Sequence, residues 1–206
     1  MNTATQRQAI QGPAGALECA VDLPVSDALG TAVLCHPHPQ HGGTMYNKVV
    51  QTMARAMVGL GWRAVRFNFR GVGNSAGTWD EGQGEIDDAM AVVAAYRTLG
   101  TRLVLGGFSF GGYIASQAAA RLHAEGEGHA AERLVLIGPA VQNFDMAPVP
   151  ADTLLIQGEA DDVVPMPAVL AWARTQSLPV TVVPGAGHFF HGQLPVLKQI
   201  ISAALR

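Results

Sequence analysis

The chain has 206 residues, a length that fits one domain able to bury a substantial core. Hydrophobic residues make up 49% of it and charged residues 14%, which excludes an intrinsically disordered protein. The formal net charge is −3, whereas a nucleic-acid-binding protein needs a basic surface to displace counterions. We therefore expect a compact globular protein that does not bind nucleic acid.

The sequence carries no mark of secretion or of membrane insertion. Cys19 and Cys35 are too few for a disulfide framework, and Cys35 is expected to be a reduced core residue. The N-terminal stretch MNTATQRQAI lacks the apolar segment of a secretion signal, and the longest apolar run, residues 89–96, is too short to cross a bilayer. The expected location is the cytoplasm, with no membrane partner.

Short apolar segments alternate with helix-like stretches along the chain, a pattern typical of a mostly parallel sheet with helices on both faces. The first two segments flank a turn at residues 12–15, which predicts an antiparallel hairpin. The eight predicted strands are residues 6–11, 16–22, 31–36, 64–69, 102–107, 133–138, 153–158 and 180–183. The five predicted helices cover about residues 45–59, 85–99, 111–124, 167–176 and 193–205. Since no linker interrupts them, we predict a single α/β domain over residues 1–206.

Ligands of such sheets bind beyond the carboxyl ends of the strands, so the residues that follow each strand are the candidates for a site. Residues 107–111 match G-x-S-x-G, which presents a serine hydroxyl on a sharp strand-to-helix turn. Residues 73–77 match it as well, around Ser75. Ser109 follows an apolar strand and precedes a good helix former, whereas TWDEGQGE after Ser75 is typical of a loop. The predicted nucleophile is Ser109, and Ser75 is expected in a glycine-rich turn.

A serine hydroxyl needs a neighbouring base, and a histidine base needs a carboxylate that fixes its tautomer. His188 follows the last predicted strand directly after a glycine, with His191 three residues further on as its competitor. We predict His188 as the base. Glu159, Asp161 and Asp162 all follow the strand at 153–158, and spacing alone does not choose among these carboxylates.

Together these motifs resemble the α/β-hydrolase superfamily. More closely, the chain is similar to small, lidless bacterial serine hydrolases related to dienelactone hydrolase-like proteins. The matching segments are residues 36–39, 42–45, 47–50, 68–73, 107–112, 158–165 and 187–192. The resemblance implies the α/β-hydrolase fold, and its G-x-x-D-x-x-V-P pattern maps the acid to Asp161. Dienelactone hydrolases proper have a cysteine where this chain has Ser109, which argues against their substrate.

The same resemblance implies an oxyanion hole made of two backbone N–H groups, one after the nucleophile and one after the third strand. These map to Phe110 and His38. The assignment of His38 agrees with the chemistry of its neighbours, because Pro37 and Pro39 have no N–H to donate.

The histidines at 36, 38 and 41 also suggest a metal site, since zinc binds three or four convergent ligands. Prolines stiffen this segment, however, and an acyl-transfer site already accounts for the loop. We therefore expect no metal and no organic cofactor.

Residues 139–152 join the sixth and seventh predicted strands and are too few for a separate lid, which predicts an open, shallow site. The candidate apolar lining is Met45, Phe110, Met146 and Phe189. We predict a serine carboxylesterase that cleaves small, short-acyl esters or thioesters through an acyl-enzyme. The expected partner is a small-molecule ester, and the sequence leaves the oligomeric state open.

Two other functions stay open at this point. A peptidase or amidase is one, because residues 109–113 resemble the serine turn of prolyl-oligopeptidase-type enzymes, although the chain has no domain that would gate access for peptides. The other is a non-catalytic binding protein of the same fold, although such proteins usually lose one of the three catalytic side chains and all three are present here.

Overall fold

Eight short strands form one sheet in the computed structural model, which describes residues 5–206. The sequence predicts that the N-terminal stretch is not a secretion signal. Residues 1–4 of that stretch lie outside the described residues. The strands are β1 (Gln6–Gly12), β2 (Gly15–Asp22), β3 (Thr31–Cys35), β4 (Arg63–Phe67), β5 (Leu103–Phe108), β6 (Arg133–Ile137), β7 (Leu154–Gly158) and β8 (Val180–Val183).

The sheet has the strand order β1-β2-β4-β3-β5-β6-β7-β8. β1 and β2 form an antiparallel hairpin, and β2 pairs antiparallel with β4. Every later pair is parallel, from β4 and β3 through to β7 and β8. The predicted architecture, a mostly parallel sheet with an antiparallel N-terminal hairpin, is confirmed.

Helices cover both faces of the sheet, which explains why its central strands are apolar throughout rather than alternating. The helices are α1 (Lys48–Gly59), α2 (Gln83–Tyr96), α3 (Phe110–Ala124), α4 (Met166–Gln176) and α5 (Leu194–Ala204). One hydrophobic cluster includes side chains of α1 and α5, and a second one includes side chains of α2, α3 and α4. Within residues 5–206, no helix is both long and apolar enough to cross a bilayer.

The start of the first helix differs from the prediction because a side chain caps it. Helix α1 begins at Lys48 rather than near residue 45, because the Asn47 side chain accepts a hydrogen bond from the Val49 N–H at 2.9 Å and caps the helix. A short 3₁₀ turn at Pro39–His41, which periodicity did not predict, follows β3.

The two cysteines lie in the same core cluster as free thiols, as the sequence predicts for Cys35. Burial raises the pKa of the Cys19 thiol to about 11, and that of Cys35 further still. Neither thiol is therefore ionised to a useful extent near neutral pH.

Candidate active site

Ser109 lies between the end of β5 and the start of α3, on a backbone conformation that few residues other than glycine adopt. Its φ is 56° and its ψ is −120°. Its N–H donates to the Ile137 carbonyl at 3.0 Å, and its carbonyl accepts from Gly112 and Ala140 at 2.9 and 3.2 Å. The surrounding strand ends thus hold the residue in a conformation that would otherwise be unfavourable.

The two glycines of the motif are required by close packing of the backbone. A Cβ at Gly107 would overlap the carbonyl oxygen of Gly111. A Cβ at Gly111 would overlap the carbonyl oxygen of Cys35, at the end of β3. The first turn of α3 therefore packs directly on the segment that follows β3, which brings Ser109 close to the predicted oxyanion loop.

A buried histidine–aspartate pair lies at the same edge of the sheet. His188 follows β8 and Asp161 follows β7; both are almost fully buried. The carboxylate accepts four hydrogen bonds: Oδ1 from the N–H groups of Val163 at 3.0 Å and Val164 at 2.7 Å, and Oδ2 from His188 Nδ1 at 2.8 Å and Gln157 Nε2 at 3.1 Å.

These contacts set the protonation of both members of the pair. Burial opposes the ionisation of Asp161, but the hydrogen bonds from His188, Val164 and Val163 outweigh it, so that the pKa of Asp161 lies below its ordinary value. An ionised carboxylate can only accept hydrogen bonds. Nδ1 of His188 therefore carries the proton and donates it, which leaves Nε2 as an acceptor.

Gly138 connects the serine turn to this pair. The residue before it, Ile137, accepts the hydrogen bond from the Ser109 N–H. A Cβ at Gly138 would lie 3.4 Å from both Asp161 Oδ2 and His188 Nδ1. The Ser109 hydroxyl makes no hydrogen bond to any of residues 5–206, so its bond to His188 is not formed in this structure. Such bonds are often long without substrate and tighten in the complex.

The competing side chains have other surroundings. Asp162 is exposed, and Glu159 is exposed and accepts a hydrogen bond from the Gly185 N–H at 2.8 Å. Exposed His191 contacts the ring of Phe189 at a centroid distance of 5.9 Å. Of the carboxylates that spacing left open, Asp161 is the one bonded to His188.

Ser75, the serine of the second G-x-S-x-G match, has a structural environment. Its Oγ donates to the Asn68 carbonyl at 2.7 Å and accepts from the Glu18 N–H at 2.9 Å. Ser75 joins the loop after β4 to strand β2, as expected for a glycine-rich turn, and its hydroxyl both donates and accepts a hydrogen bond within the fold.

The two residues that carry the predicted oxyanion donors contact each other through their side chains. The rings of His38 and Phe110 contact each other at a centroid distance of 5.1 Å. Within the described part of the chain, residues 5–206, neither backbone N–H has a hydrogen-bond partner. Unpaired N–H groups are uncommon in folded proteins and suit a site where an oxyanion forms.

His36 fixes the peptide that contains the His38 N–H, a role that the sequence analysis did not assign. Its Nε2 accepts from the Phe69 N–H at 3.1 Å, so its Nδ1 carries the proton and donates to the Pro37 carbonyl at 2.6 Å. In a trans peptide the carbonyl and the N–H point in opposite directions. Holding the Pro37 carbonyl therefore directs the His38 N–H away from His36.

We expect this buried imidazole to make stability depend on pH. Burial lowers the pKa of His36 to about 3, below the ordinary value of 6.5. Between these values the unfolded chain binds a proton that the native state does not, so stability is complete above pH 6.5 and falls as the pH decreases. From pH 7 to pH 5 the wild type should lose about 2 kcal/mol more than His36→Leu.

Chemical denaturation at the two pH values measures this difference. Other titrating groups contribute to both proteins and cancel in the comparison. Equal losses for the wild type and His36→Leu would contradict the buried neutral state of His36.

The three clustered histidines have separate partners and do not converge on one point. Both ring nitrogens of His36 have protein partners, and His38 Nδ1 accepts from the Gln40 N–H at 3.2 Å. The rings of His38 and His41 stack at a centroid distance of 4.4 Å. Among residues 5–206, no group of three or more potential ligands is arranged to hold a metal ion.

The predicted lining residues differ in where they lie. Phe189 is 42% exposed beside His188, at a centroid distance of 5.1 Å. Met146 is nearly buried, with its sulfur 4.0 Å from the Ser116 hydroxyl. Met45 is fully buried, because its backbone is bonded to the side chains of Asn68 and Arg66. The predictions that Met45 and Phe110 line the site are thus corrected: both side chains are fully buried core residues.

Gln157 is a further residue of the site that sequence reasoning missed. Its Nε2 donates to Asp161 Oδ2 at 3.1 Å and to the Val164 carbonyl at 2.8 Å, whereas its Oε1 is buried without a hydrogen-bond partner among the described residues. The reverse amide orientation would place that oxygen against two other oxygens. The available signal was a polar residue at the end of an otherwise apolar strand.

An α/β sheet that holds a serine on a strand-to-helix turn beside a buried histidine–aspartate pair defines the class of α/β-fold serine hydrolases. The family model described as "Serine aminopeptidase, S33" matches residues 38–152, just over half of the chain. The chain belongs to this family of the α/β-hydrolase superfamily. The narrower link to dienelactone hydrolase-like proteins stays a prediction.

Similar proteins support this assignment over the whole chain. XC6422 from Xanthomonas campestris, a member of the α/β serine hydrolases without a lid, is 42% identical, with a TM-score of 0.87, over 100% of this chain and 95% of its own. An α/β serine hydrolase homologue from Coxiella burnetii is 38% identical, with a TM-score of 0.85, over 100% of both chains. The uncharacterized protein RP471 of Rickettsia prowazekii is 32% identical over 196 residues, 87% of this chain and 79% of its own.

Proposed function

We propose that this serine hydrolase is a carboxylesterase that cleaves small, short-acyl esters or thioesters through an acyl-enzyme, with Ser109 as nucleophile, His188 as base and Asp161 as its partner. The observation that carries the proposal is the buried hydrogen bond of 2.8 Å between His188 Nδ1 and Asp161 Oδ2. It leaves Nε2 as the free acceptor at the edge of the sheet where Ser109 lies.

In the first step Ser109 Oγ attacks the ester carbonyl while His188 Nε2 takes the hydroxyl proton. The carbonyl oxygen becomes an oxyanion, and the N–H groups of His38 and Phe110 stabilise it. Asp161 stabilises the positively charged imidazole that forms. His188 then gives its proton to the leaving alcohol, the carbon–oxygen bond breaks, and the acyl group remains on Ser109.

In the second step water replaces the alcohol. His188 takes a proton from the water, whose oxygen attacks the acyl-enzyme carbonyl, and the same two N–H groups stabilise the second oxyanion. Collapse of this intermediate breaks the bond to Ser109 Oγ, which recovers its proton from His188, and the carboxylic acid leaves. The scheme requires no metal and no organic cofactor.

The connection between β6 and β7 supports a preference for small substrates. Lids of this superfamily usually enter there, and in this chain the connection consists of residues 138–153. It packs down on the site: the Ala140 N–H donates to the Ser109 carbonyl at 3.2 Å, and Phe144 contacts Phe110 at a centroid distance of 5.0 Å. We take this short connection, packed on the site, to favour small substrates over long fatty acyl chains.

We expect kcat/KM for 4-nitrophenyl acetate or butyrate to exceed that for 4-nitrophenyl palmitate by about tenfold or more, since an extended chain would lie on open surface and bury little area. Steady-state kinetics with detergent-matched solutions measures the ratio. A clear preference for the palmitate would contradict the short-acyl assignment.

Peptide or amide hydrolysis is the second candidate, and the family description as serine aminopeptidases favours it. An ester, a thioester and an amide of one acyl group separate the candidates. Higher kcat/KM for the ester or thioester, after correction for their uncatalysed rates, supports an esterase, and the reverse order supports an amidase. Failure of a fluorophosphonate to label Ser109 in the folded protein would instead favour a non-catalytic binding protein. A cytoplasmic location remains a prediction.

A further inference from the structure

Ser109 lies in the chain between two phenylalanines that pack on opposite faces of the sheet. Phe108 ends β5 and Phe110 begins α3, so they flank Ser109 in the chain. Phe108 packs in the cluster that includes α1 and α5, whereas Phe110 packs in the cluster that includes α2, α3 and α4. They therefore lie on opposite faces of the sheet and mark the two sides of the serine.

The side of Phe110 carries an aromatic wall, which consists of His38, Trp79 and Phe144. The centroids of these rings lie 5.1, 5.2 and 5.0 Å from that of Phe110. His38 also contacts Trp79 at 4.6 Å and Phe144 at 6.0 Å. All three rings are half-buried, so each keeps part of its surface free. The wall contains one of the proposed oxyanion donors, His38.

The wall comes from three separate loops that follow β3, β4 and β6. Hydrophobic packing alone does not require aromatic residues at all three positions. Burial and the neighbouring His41 lower the pKa of His38, so that its ring is neutral near neutral pH. The wall therefore offers uncharged ring faces and edges to whatever lies against it.

The side of Phe108 carries the exposed ring of Phe189. Phe189 lies at centroid distances of 5.8 Å from Phe108 and 5.1 Å from His188, and 42% of it is exposed. It follows His188 directly in the chain. A group next to the His188 imidazole would therefore lie close to Phe189.

The chemistry of acyl transfer assigns one part of the substrate to each side. The leaving group must lie beside His188, because that imidazole protonates it. The carbonyl oxygen must lie at the N–H groups of His38 and Phe110. Since the leaving group takes the side of His188 and Phe189, the acyl substituent is left with the other side, where the aromatic wall lies next to the oxyanion donors.

We propose, on the basis of the proposed esterase function, that the wall of His38, Trp79 and Phe144 binds a flat aromatic acyl group, and that Phe189 contacts the leaving alcohol. Aromatic rings prefer offset or edge-to-face contacts with other rings over contacts with saturated groups of equal size. A compact ring also suits the open, shallow site that the short connection between β6 and β7 predicts. The substrate class is thus small esters of arylcarboxylic acids.

The test compares 4-nitrophenyl benzoate with 4-nitrophenyl cyclohexanecarboxylate, which differ in the flatness and π-system of the acyl ring while sharing the leaving group. We expect the wild type to prefer benzoate, after correction for the uncatalysed rates. Trp79→Leu and Phe144→Leu should each reduce this preference by about fivefold to tenfold. Trp79→Phe and Phe144→Tyr, which retain a ring, should restore most of it.

Phe189→Leu provides the matched contrast on the other side. It should retain the preference for benzoate and instead reduce the discrimination between phenyl and cyclohexyl esters of one acid. Deacylation adds a second readout, because the alcohol has left by then. The relative rates at which benzoyl-enzyme and cyclohexanecarbonyl-enzyme are hydrolysed should respond to Trp79→Leu and Phe144→Leu but not to Phe189→Leu.

An unchanged benzoate preference in both folded wall variants would overturn this proposal, as would its loss in Phe189→Leu. Where one leucine variant does not fold, the other variant and the deacylation rates decide. Failure of the proposed function gives a different result. In that case the wild-type protein neither reacts with a fluorophosphonate at Ser109 nor hydrolyses any of the four esters.

Discussion

Replacement of Ser109 by alanine is expected to lower kcat for a short-acyl nitrophenyl ester by about a million-fold, because no acyl-enzyme can then form. The KM should change far less, since the hydroxyl contributes little to ground-state binding. What activity remains would come from the oxyanion donors and from substrate positioning. Steady-state kinetics measures the loss, and intact-protein mass spectrometry shows whether a fluorophosphonate still adds to the variant.

Ser75→Ala is the matched control, because Ser75 occupies the same position in the second G-x-S-x-G match. Its hydroxyl bonds to the Asn68 carbonyl and to the Glu18 N–H. We expect a loss of about 1–3 kcal/mol in the free energy of unfolding, with turnover per folded molecule retained. Loss of turnover in folded Ser75→Ala, or its retention in Ser109→Ala, would contradict the assignment of the nucleophile.

The sheet could be predicted because its signals are local. Each apolar run between turn residues is short, and the parallel strands buried on both faces are apolar along their length. The strand order is not local: β4 lies between β2 and β3 and pairs with both. Nothing in the sequence of β4 alone specifies those two partners, because the pairing depends on which crossovers pack best over the whole sheet.

Two features of the site show what the local sequence can and cannot resolve. Context separated Ser109 from Ser75, because a strand before and a helix after the serine are visible in the pattern of apolar residues. Spacing could not separate Asp161 from Asp162. Adjacent residues in a turn point in different directions, and the selection of Asp161 depends on the amides of Val163 and Val164, which face its Oδ1.

The interpretation of Met45 failed for a related reason. An apolar residue in a loop near the site looks like substrate lining, but long-range contacts decide where such a loop packs. The Met45 N–H donates to Asn68 Oδ1 at 2.9 Å, and its carbonyl accepts from Arg66 at 3.1 Å. Both partners lie more than 20 residues away along the chain, so no pattern around residue 45 could indicate the burial.

Replacement of Asp161 by asparagine should lower kcat by about 10⁴-fold through the tautomer of His188. The Val163 and Val164 N–H groups hold an acceptor at the Oδ1 position, so the asparagine oxygen would stay there and its NH₂ would face His188. Nδ1 must then accept, and the proton moves to Nε2. A protonated Nε2 cannot take the proton of Ser109.

Asp162→Asn is the control, because Asp162 is exposed and makes no contact with His188. It should retain kcat within about twofold, as expected for a surface substitution. Loss of activity in Asp162→Asn together with its retention in Asp161→Asn would transfer the role to the neighbouring carboxylate.

The same substitution has a second effect, on the acid stability of the fold. Since the pKa of Asp161 lies below its ordinary value, the unfolded chain takes up this proton more readily than the native state. The stabilisation is therefore complete above the ordinary carboxyl pKa of about 4, and it is lost as the pH falls through the lower native value. Asp161→Asn lacks this group, so its free energy of unfolding should decline less steeply than that of the wild type below about pH 4. Chemical denaturation at several pH values measures both free energies of unfolding. If they decline in parallel, the native carboxylate gains nothing from its four hydrogen bonds. The electrostatic support that Asp161 gives to the His188 imidazole would then lose its basis as well.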